Sequence, residues 1–314
     1  MASIQSIVLR GSMHIAKGVV IVGRQHKNVS RMRHSFERIT HRLPMPPQVH
    51  FSPFFAGNTE ASWFLPQVAD PHKVILFLHG GGYATGSINT AKSLIAKIAL
   101  ETGIKAIAIN YRLAPEHPFP AALQDSVAIY EYLLNQGYLP QNICIAGSSA
   151  GGGLALSTLQ ALKINNTALP AVAVCLSPWT DLAGTGKSVK NNARKDPMLI
   201  AKLIPEWATQ YAGKETLFNP LISPLYGNAA GLPPTLLQVG THEILLDDSV
   251  RYAEMARNHG VDVTLEVWQN MIHGWQLHWG LLPEANRAIG NIARFIHRHM
   301  HVNPLLSAKN TDTI

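Results

Sequence analysis

The sequence predicts one α/β domain built on a mostly parallel sheet of eight strands, with helices on both faces. From about residue 74 to residue 300, strand-length apolar runs alternate with helix-length patterns, which is typical of parallel sheets with right-handed crossovers. The apolar runs are nearly continuous in aliphatic residues, and this indicates strands buried on both faces. The chain has 314 residues, 46% of them hydrophobic, which suffices for one large core.

Six single strands and one hairpin account for the eight strands. The hairpin occupies residues 49–65 and turns at Gly57-Asn58. The single strands are predicted at 74–79, 105–111, 142–147, 171–177, 235–240 and 263–268. Helices are predicted near 90–102, 121–136, 150–163, 247–259 and 284–300, and the tail after about 302 is predicted to be polar and loose.

Two segments fall outside this alternation. Residues 1–45 look helical and precede any strand, and residues 184–225 are too long for an ordinary loop. We expect both to cover one end of the sheet as a cap, over a core of residues 46–183 and 226–301 in a single domain spanning 1–314. The alternative for the aromatic residues of 184–225 is ordinary packing on the sheet.

The charge pattern and the lack of a recognisable membrane-spanning run or signal peptide favour a cytoplasmic protein without a nucleic-acid partner. The formal net charge is +7, and no nucleic-acid motif accompanies it. The excess lies early in the chain and is interpreted as the solvated face of amphipathic helices; an anionic partner, nucleic acid or a membrane surface, is the alternative. No apolar run is long enough to span a membrane, and no signal peptide is recognisable. The basic residues concerned are Arg10, Lys17, Arg24, Lys27, Arg31, Arg33, Arg38 and Arg42.

Cys144 and Cys175 each lie inside an apolar run. Free cysteine in such a context behaves as a small buried hydrophobe. Neither a disulfide nor a metal site is expected from this pair.

The stretch ICIAGSSAGGGL, beginning at Ile143, contains the pattern Gly-x-Ser-x-Gly, which predicts a nucleophile turn. It follows a predicted strand and opens a predicted helix, where such a turn exposes the central serine in a strained conformation. Only Ser149 has glycine two residues before and after it, at Gly147 and Gly151. Larger side chains there would collide, which explains glycines that otherwise cost helix stability.

A serine hydroxyl needs a base and an orienting acid, in the order serine, acid, histidine on this kind of sheet. The acid is expected after the strand at 235–240, where Glu243 follows directly. Asp247 and Asp248 come later, at a predicted helix start, and a helix-capping role explains them. Asp247 remains the alternative acid.

The histidine is expected after the strand at 263–268. His273 lies in the loop there with Gly274 beside it, and His278 is the nearest rival further along. The oxygen that becomes negative during attack on a carbonyl needs fixed N–H donors. One is the backbone amide of Ala150, and the others are expected from the loop 79–83, whose sequence is His-Gly-Gly-Gly-Tyr.

Together these motifs closely resemble the hormone-sensitive lipase group of the α/β-hydrolase superfamily, also called bacterial esterase family IV. The resemblance is carried by HGGG, NYRLAPEHPFPAAL (110–123), GSSAGGG, SPWTDL (177–182) and NMIHGW (270–275), and it runs from about residue 70 to the C-terminal helix. It implies the α/β-hydrolase fold with a helical cap, and hydrolysis of carboxylic esters without cofactor or metal. The residues implied are the triad Ser149, Glu243 and His273, with an oxyanion hole of Gly81, Gly82 and Ala150.

The resemblance also implies structural roles for His79 and the loop YRLAPEHPFP, with Arg112 and Glu116 in charge pairs that hold the loop down. The sequence departs from many members of this group at two positions, and the two differences are consistent with each other. Ser148 stands where many members have aspartate, Glu243 stands where many have an aspartate acid, and members with Ser or Thr before the nucleophile tend to use glutamate.

The predicted activity is a serine esterase for short- to medium-chain acyl esters, with a small-molecule ester as partner and a homodimer by analogy. Three alternatives remain. The same triad serves amidases, deacetylases and lactonases; some relatives that lost the histidine are non-catalytic receptors; and a long-chain lipase would act at lipid interfaces.

Overall fold

The computed structural model describes residues 3–22 and 29–302. Eight strands form one sheet: β1 (Val49–Ala56), β2 (Thr59–Pro66), β3 (Asp70–Leu78), β4 (Ile104–Ile109), β5 (Ile143–Ser148), β6 (Val172–Leu176), β7 (Thr235–Gly240) and β8 (Val263–Trp268). The helices are α1 (Ile4–Val22), α2 (Val29–Thr40), α3 (Ile88–Thr102), α4 (Ala121–Asn135), α5 (Ala150–Ile164), α6 (Ser188–Asn191), α7 (Ile204–Ala212), α8 (Leu246–Asn258) and α9 (Pro283–Met300).

The strands lie in the order β1-β2-β4-β3-β5-β6-β7-β8. The first three form antiparallel pairs, and every later pair is parallel. The predicted mostly parallel sheet of eight strands is therefore confirmed, and so is the hairpin, which turns at Gly57. Because parallel strands end on the same edge, the segments after β3, β5, β6, β7 and β8 meet on one side of the molecule.

The core consists of two layers, one on each face of the sheet. Successive side chains of β3 alternate between them: Leu76 and Leu78 pack with α4, α5 and α8, whereas Ile75 and Phe77 pack with α3 and α9. Alternation of this kind follows from the two-residue period of a strand. The aliphatic runs of β3 to β7 are buried on both faces, as predicted. For β8 the prediction is wrong, because this edge strand has a neighbour on one side only: most of its residues are half-buried and Val267 is exposed.

The N-terminal helices are held against the rest of the chain by basic side chains. Lys17 Nζ donates to the carbonyl oxygens of Asp196 and Leu199, both at 2.6 Å. Arg33 on α2 donates to the Ala84 carbonyl at 2.7 Å and to the Ala114 carbonyl at 2.9 Å. For these two residues the interpretation as a solvated helix face is wrong, because their charged ends satisfy buried carbonyl groups.

Some predictions fall outside the described residues. Arg24, Lys27 and the tail after 302 belong to these. No helix within residues 3–22 and 29–302 combines the length and the apolar character that a membrane crossing requires.

Candidate active site

Ser149 lies on a sharp turn between β5 and α5, with φ of 56° and ψ of −123°. A side chain on Gly147 would put its Cβ 2.2 Å from the carbonyl oxygen of Gly151, and one on Gly151 would come within 2.1 Å of the Leu78 carbonyl oxygen. Both glycines are therefore required by close backbone contact, as the sequence predicts. The Ser149 hydroxyl makes no capping hydrogen bond to its helix, so it is not used by the local backbone.

A continuous series of contacts leads from Ser149 to the predicted acid and histidine. The Ser149 amide donates to the carbonyl of Leu176, the last residue of β6, at 2.8 Å. The next residue, Ser177, donates its hydroxyl to Glu243 Oε1 at 2.8 Å. Glu243 Oε2 in turn lies 2.8 Å from His273 Nδ1. These segments follow β5, β6, β7 and β8, so all four loops meet at the carboxyl edge of the sheet.

Glu243 is completely buried and is held by three hydrogen bonds. Besides Ser177 and His273, the backbone amide of Gly240 donates to Oε1 at 2.5 Å. Since an ionised carboxylate only accepts, Nδ1 of His273 must carry the proton that joins the pair. The other ring nitrogen, Nε2, is then the unprotonated one and can accept a proton.

Burial and the contact with Glu243 act in opposite directions on the charge of His273. Burial opposes the charge on His273, but the hydrogen bond and the negative charge of Glu243 raise the pKa of His273 above its usual value. Burial raises the pKa of Glu243, and the bonds from His273 and Gly240 oppose that rise. His278 has no such partner in the described structure, and burial lowers its pKa to about 4.

The carboxylates at the start of α8 do not cap that helix, so the predicted capping role of Asp247 and Asp248 is wrong. Asp248 is buried and accepts from the backbone amides of Thr180 and Asp181, both at 2.9 Å. Asp247 accepts from the amide of Ser188 at 2.9 Å. Both instead fix the segment that follows β6, because they accept hydrogen bonds from its backbone amides.

The triple-glycine loop lies against the serine turn. A Cβ on Gly80 would lie 3.1 Å from the Cβ of Ser149. Gly81 and Gly82 have φ values of 128° and 63°, which favour glycine strongly. Within the described residues, the backbone amides of Gly81, Gly82 and Ala150 donate to no other group of the protein. Three unpaired donors next to a strained serine are what an oxyanion site needs.

The segment after β4 supports this loop. The His79 ring stacks on Tyr111 with centroids 4.1 Å apart, and the Tyr111 hydroxyl donates to the His79 carbonyl at 2.7 Å. Burial lowers the pKa of His79 to about 4, so the ring is neutral and structural. Arg112 pairs with Asp125 at 2.8 Å.

Glu116, in the same segment, pairs with Arg33 of α2 at 2.7 Å. The predicted structural roles of His79, Arg112 and Glu116 are confirmed by these contacts.

Comparison with known proteins agrees with this geometry. A family described as alpha/beta hydrolase fold matches residues 75–277. An acetyl-hydrolase of Streptomyces hygroscopicus is 41% identical over 76% of this chain and 80% of its own length. An esterase of Acinetobacter venetianus is 34% identical over 84% of this chain and 87% of its own. The crystal structure of an esterase from the bacterial hormone-sensitive lipase family superposes with a TM-score of 0.91 at 37% identity, covering 96% of this chain and all of the other.

The chain belongs to the hormone-sensitive lipase group of the α/β hydrolases. It is a carboxylesterase and acts on small-molecule esters.

Three residues of the esterase site escaped the analysis of the sequence. Ser177 lies inside the motif SPWTDL, but only the structure shows its hydroxyl on Glu243. Asn192 donates to the Glu243 carbonyl at 2.8 Å, and the buried Asp196 accepts from the Ile244 amide at 3.0 Å. Both hold the loop that carries the acid. The Asp196-Pro197 pair is a turn signal in the sequence, but it gives no sign of the partner.

Proposed function

We propose that the esterase cleaves short- to medium-chain acyl esters through a covalent acyl-enzyme on Ser149. His273 is the general base, and Glu243 orients it and stabilises its charged form. The observation that carries the proposal is the buried 2.8 Å hydrogen bond between Glu243 and His273 Nδ1, connected through Ser177 and Leu176 to the strained turn of Ser149. The arrangement supports the roles of nucleophile, base and orienting acid that attack by a serine requires.

In the proposed cycle, the Ser149 oxygen attacks the ester carbonyl while its proton passes to His273 Nε2. The carbonyl oxygen becomes negative and accepts hydrogen bonds from the amides of Gly81, Gly82 and Ala150, each such donor being worth about 3–4 kcal/mol. His273 returns the proton to the leaving alcohol, and the acyl group stays on Ser149. A water molecule, deprotonated by His273, then releases the carboxylic acid and restores the enzyme.

We also infer that residues 1–45 and 184–225 form a cap over the core of residues 46–183 and 226–301. Support comes from α1, whose Lys17 binds the segment 196–199. It also comes from α7: a Cβ on Gly82 would lie 2.1 Å from the Trp207 ring, and Tyr211 stacks on Tyr83 with centroids 3.6 Å apart. Aromatic side chains packed this closely on the proposed oxyanion loop favour small acyl groups.

The names of similar proteins support the same range of acyl chain lengths. Besides the acetyl-hydrolase, an ethyl acetate hydrolase of Pseudomonas putida is 30% identical over 72% of this chain and 73% of its own. A structure similar at a TM-score of 0.89, with 35% identity, 96% of this chain and all of the other covered, is that of EstE5 soaked with p-nitrophenyl butyrate. A cytoplasmic location and a homodimer stay predictions.

The proposal is tested by hydrolysis of p-nitrophenyl esters from acetate to palmitate. Ser149→Ala is expected to lower kcat by a factor on the order of 10⁶, as loss of the nucleophile does in a serine protease. Ser148→Ala removes the neighbouring hydroxyl and is the matched control, with activity retained. A loss of less than about a hundredfold in Ser149→Ala would reject Ser149 as the nucleophile.

The same assay separates the alternatives. Activity rising steeply toward palmitate emulsions would indicate a long-chain lipase. Higher kcat/KM on matched amides or lactones than on esters would indicate the other acyl-transfer reactions of the triad. No release of p-nitrophenol from any ester would indicate a non-catalytic binding protein.

A further inference from the structure

A basic depression of about 340 Å³ lies behind the loops that carry Glu243 and His273. All but one of the side chains that line it are arginine, lysine or histidine, and no carboxylate lines it. The lining residues are Arg10, His14, Arg194, Lys195, His242 and Asn270. Its volume reaches the lower range of small-molecule pockets in proteins, about 300–1,000 Å³. It is polar where a site for an acyl chain would be apolar.

Four segments of the chain meet around this basic depression. Arg10 and His14 lie on one face of α1, because residues four apart in a helix are neighbours. Arg194 and Lys195 directly precede the buried Asp196. His242 is the residue before Glu243. Asn270 lies three residues before His273, and its amide donates to the Thr241 hydroxyl at 2.8 Å.

Among the described residues, no ion pair joins Arg10, Arg194 or Lys195 to a carboxylate. Asp196 is the nearest acidic residue along the chain, but it is fully buried and accepts from the amides of Met198, Leu199 and Ile244. Its carboxylate oxygens are therefore occupied by backbone amides, although its negative charge still raises the pKa of His242.

Arg10 and His242 already form the beginning of an anion site. Arg10 Nη1 lies 3.1 Å from His242 Nδ1. The same Nδ1 lies 3.2 Å from the carbonyl oxygen of Asn270, so this ring nitrogen faces a donor on one side and an acceptor on the other. Burial and the positive charges of Arg10 and Lys195 lower the pKa of His242, and the hydrogen bond to Asn270 and the charge of Asp196 oppose that fall. The positive charge of the depression therefore comes from Arg10, Arg194 and Lys195 rather than from His242.

We propose that this basic depression is a binding site for a small, multiply charged anion that carries phosphate or carboxylate groups. Arginine matches both groups with paired hydrogen bonds, and lysine adds single ones. A bound anion would connect α1 and the segment 194–195 with the loop of Glu243. It would therefore stabilise the folded enzyme and hold the N-terminal helix in place. The site is separate from the ester site and does not depend on the proposed triad.

The test is a titration of sodium phosphate and of sodium citrate into the full-length enzyme, at an ionic strength held constant with sodium chloride. Binding is followed by calorimetry and by the rise of Tm, since a ligand that binds only the folded state raises its stability with concentration. We expect saturable binding and a Tm that rises with either anion but not with chloride. No saturable heat and no rise of Tm with either anion would overturn the proposal.

Two double variants locate the effect. Arg194→Gln with Lys195→Gln removes two exposed charges from the depression and is expected to weaken anion binding by about tenfold or more, a change of about 1.4 kcal/mol per tenfold. Lys187→Gln with Lys190→Gln makes the same charge change elsewhere in the segment 184–225, at two exposed residues, and is the control. Equal weakening in both would mean general charge attraction and would overturn the site.

A lipid phosphate is the competing source of the same chemistry. Sedimentation with phosphatidylglycerol vesicles, compared with phosphatidylcholine vesicles, distinguishes it. Binding to anionic vesicles that phosphate and citrate fail to displace would assign the basic residues to a membrane surface and refute a site for soluble anions. Binding of the free anions with no vesicle association supports the proposal.

Discussion

Replacing Ser177 by alanine should slow ester hydrolysis while leaving the fold intact. The Ser177 hydroxyl donates to Glu243 Oε1 at 2.8 Å, in a site where both side chains are buried. Without it, the carboxylate keeps two of its three hydrogen bonds. A hydrogen bond to a charged group contributes about 1.5–3 kcal/mol. If the whole loss falls on the transition state, kcat/KM decreases by roughly 10- to 150-fold, because about 1.4 kcal/mol corresponds to a factor of ten.

The loss should fall mainly on kcat. Glu243 has to remain ionised when His273 becomes an imidazolium, and that ion pair exists in the transition state rather than in the resting enzyme. To the extent that the Ser177 hydrogen bond also stabilises the resting enzyme, its removal lowers the stability of the folded protein instead of kcat. We therefore expect a lower kcat with p-nitrophenyl butyrate, a KM close to that of the native enzyme, and a Tm lowered by a few degrees.

Ser157→Ala provides the matched control. Ser157 is buried on α5, and its hydroxyl has no hydrogen-bond partner among the described residues. The same atom is removed from a similarly enclosed position, so kcat should stay unchanged and stability should stay equal or rise. Native kcat/KM in Ser177→Ala, or an equal loss of activity in both variants, would refute the reasoning that the hydroxyl acts through Glu243.

Four further predictions follow from the structure. Because the base must be neutral to accept a proton and the pKa of His273 is raised, kcat/KM should fall on acidification with an apparent pKa above about 6.5. Asp196→Asn, which removes a negative charge that raises this pKa, should move that limb of the pH–rate profile to lower pH. Gly82→Ala should abolish most activity in a folded protein, measured by kcat and circular dichroism, because a Cβ would meet an indole ring at 2.1 Å and φ is 63°. Arg33→Ala should lower Tm more than Glu116→Ala does, since it also leaves two carbonyl oxygens without their donors, whereas a surface ion pair alone contributes at most about 1 kcal/mol.

The strands could be predicted wherever an apolar run covers the same residues that pair with neighbouring strands in the sheet. The runs at 235–240 and 263–268 match β7 and β8 residue for residue. The strand predicted at 74–79 begins earlier, at Asp70. Residues 70–73, Asp-Pro-His-Lys, carry no apolar pattern, and the register with β4 shifts between Asp70 and Val74. This extension depends on backbone pairing across an irregularity, which hydrophobic periodicity does not report.

The candidate site was predictable because each of its main residues directly follows a strand. Position alone pointed to Glu243 and His273, since the carboxyl ends of parallel strands share one edge. The prediction of a helix cap at Asp248 was wrong. A carboxylate in the first turn of a helix is usually stabilised by that helix. Here the backbone amides of residues 180 and 181, which follow β6, donate to Asp248 instead. A partner 67 residues away leaves no local pattern.

The acid loop depends on the segment 184–225 as much as on the sheet. A fully buried carboxylate such as Asp196 is tolerated only when hydrogen bonds satisfy it, and here one of its three amide donors belongs to Ile244, next to Glu243. Asn192 holds the carbonyl of Glu243 from the same segment. Lys17 of α1 binds the backbone at Asp196 in turn. The position of Glu243 is therefore fixed by contacts from the segment 184–225 as well as by β7, so loosening α1 should disturb the Glu243–His273 pair before it disturbs the sheet.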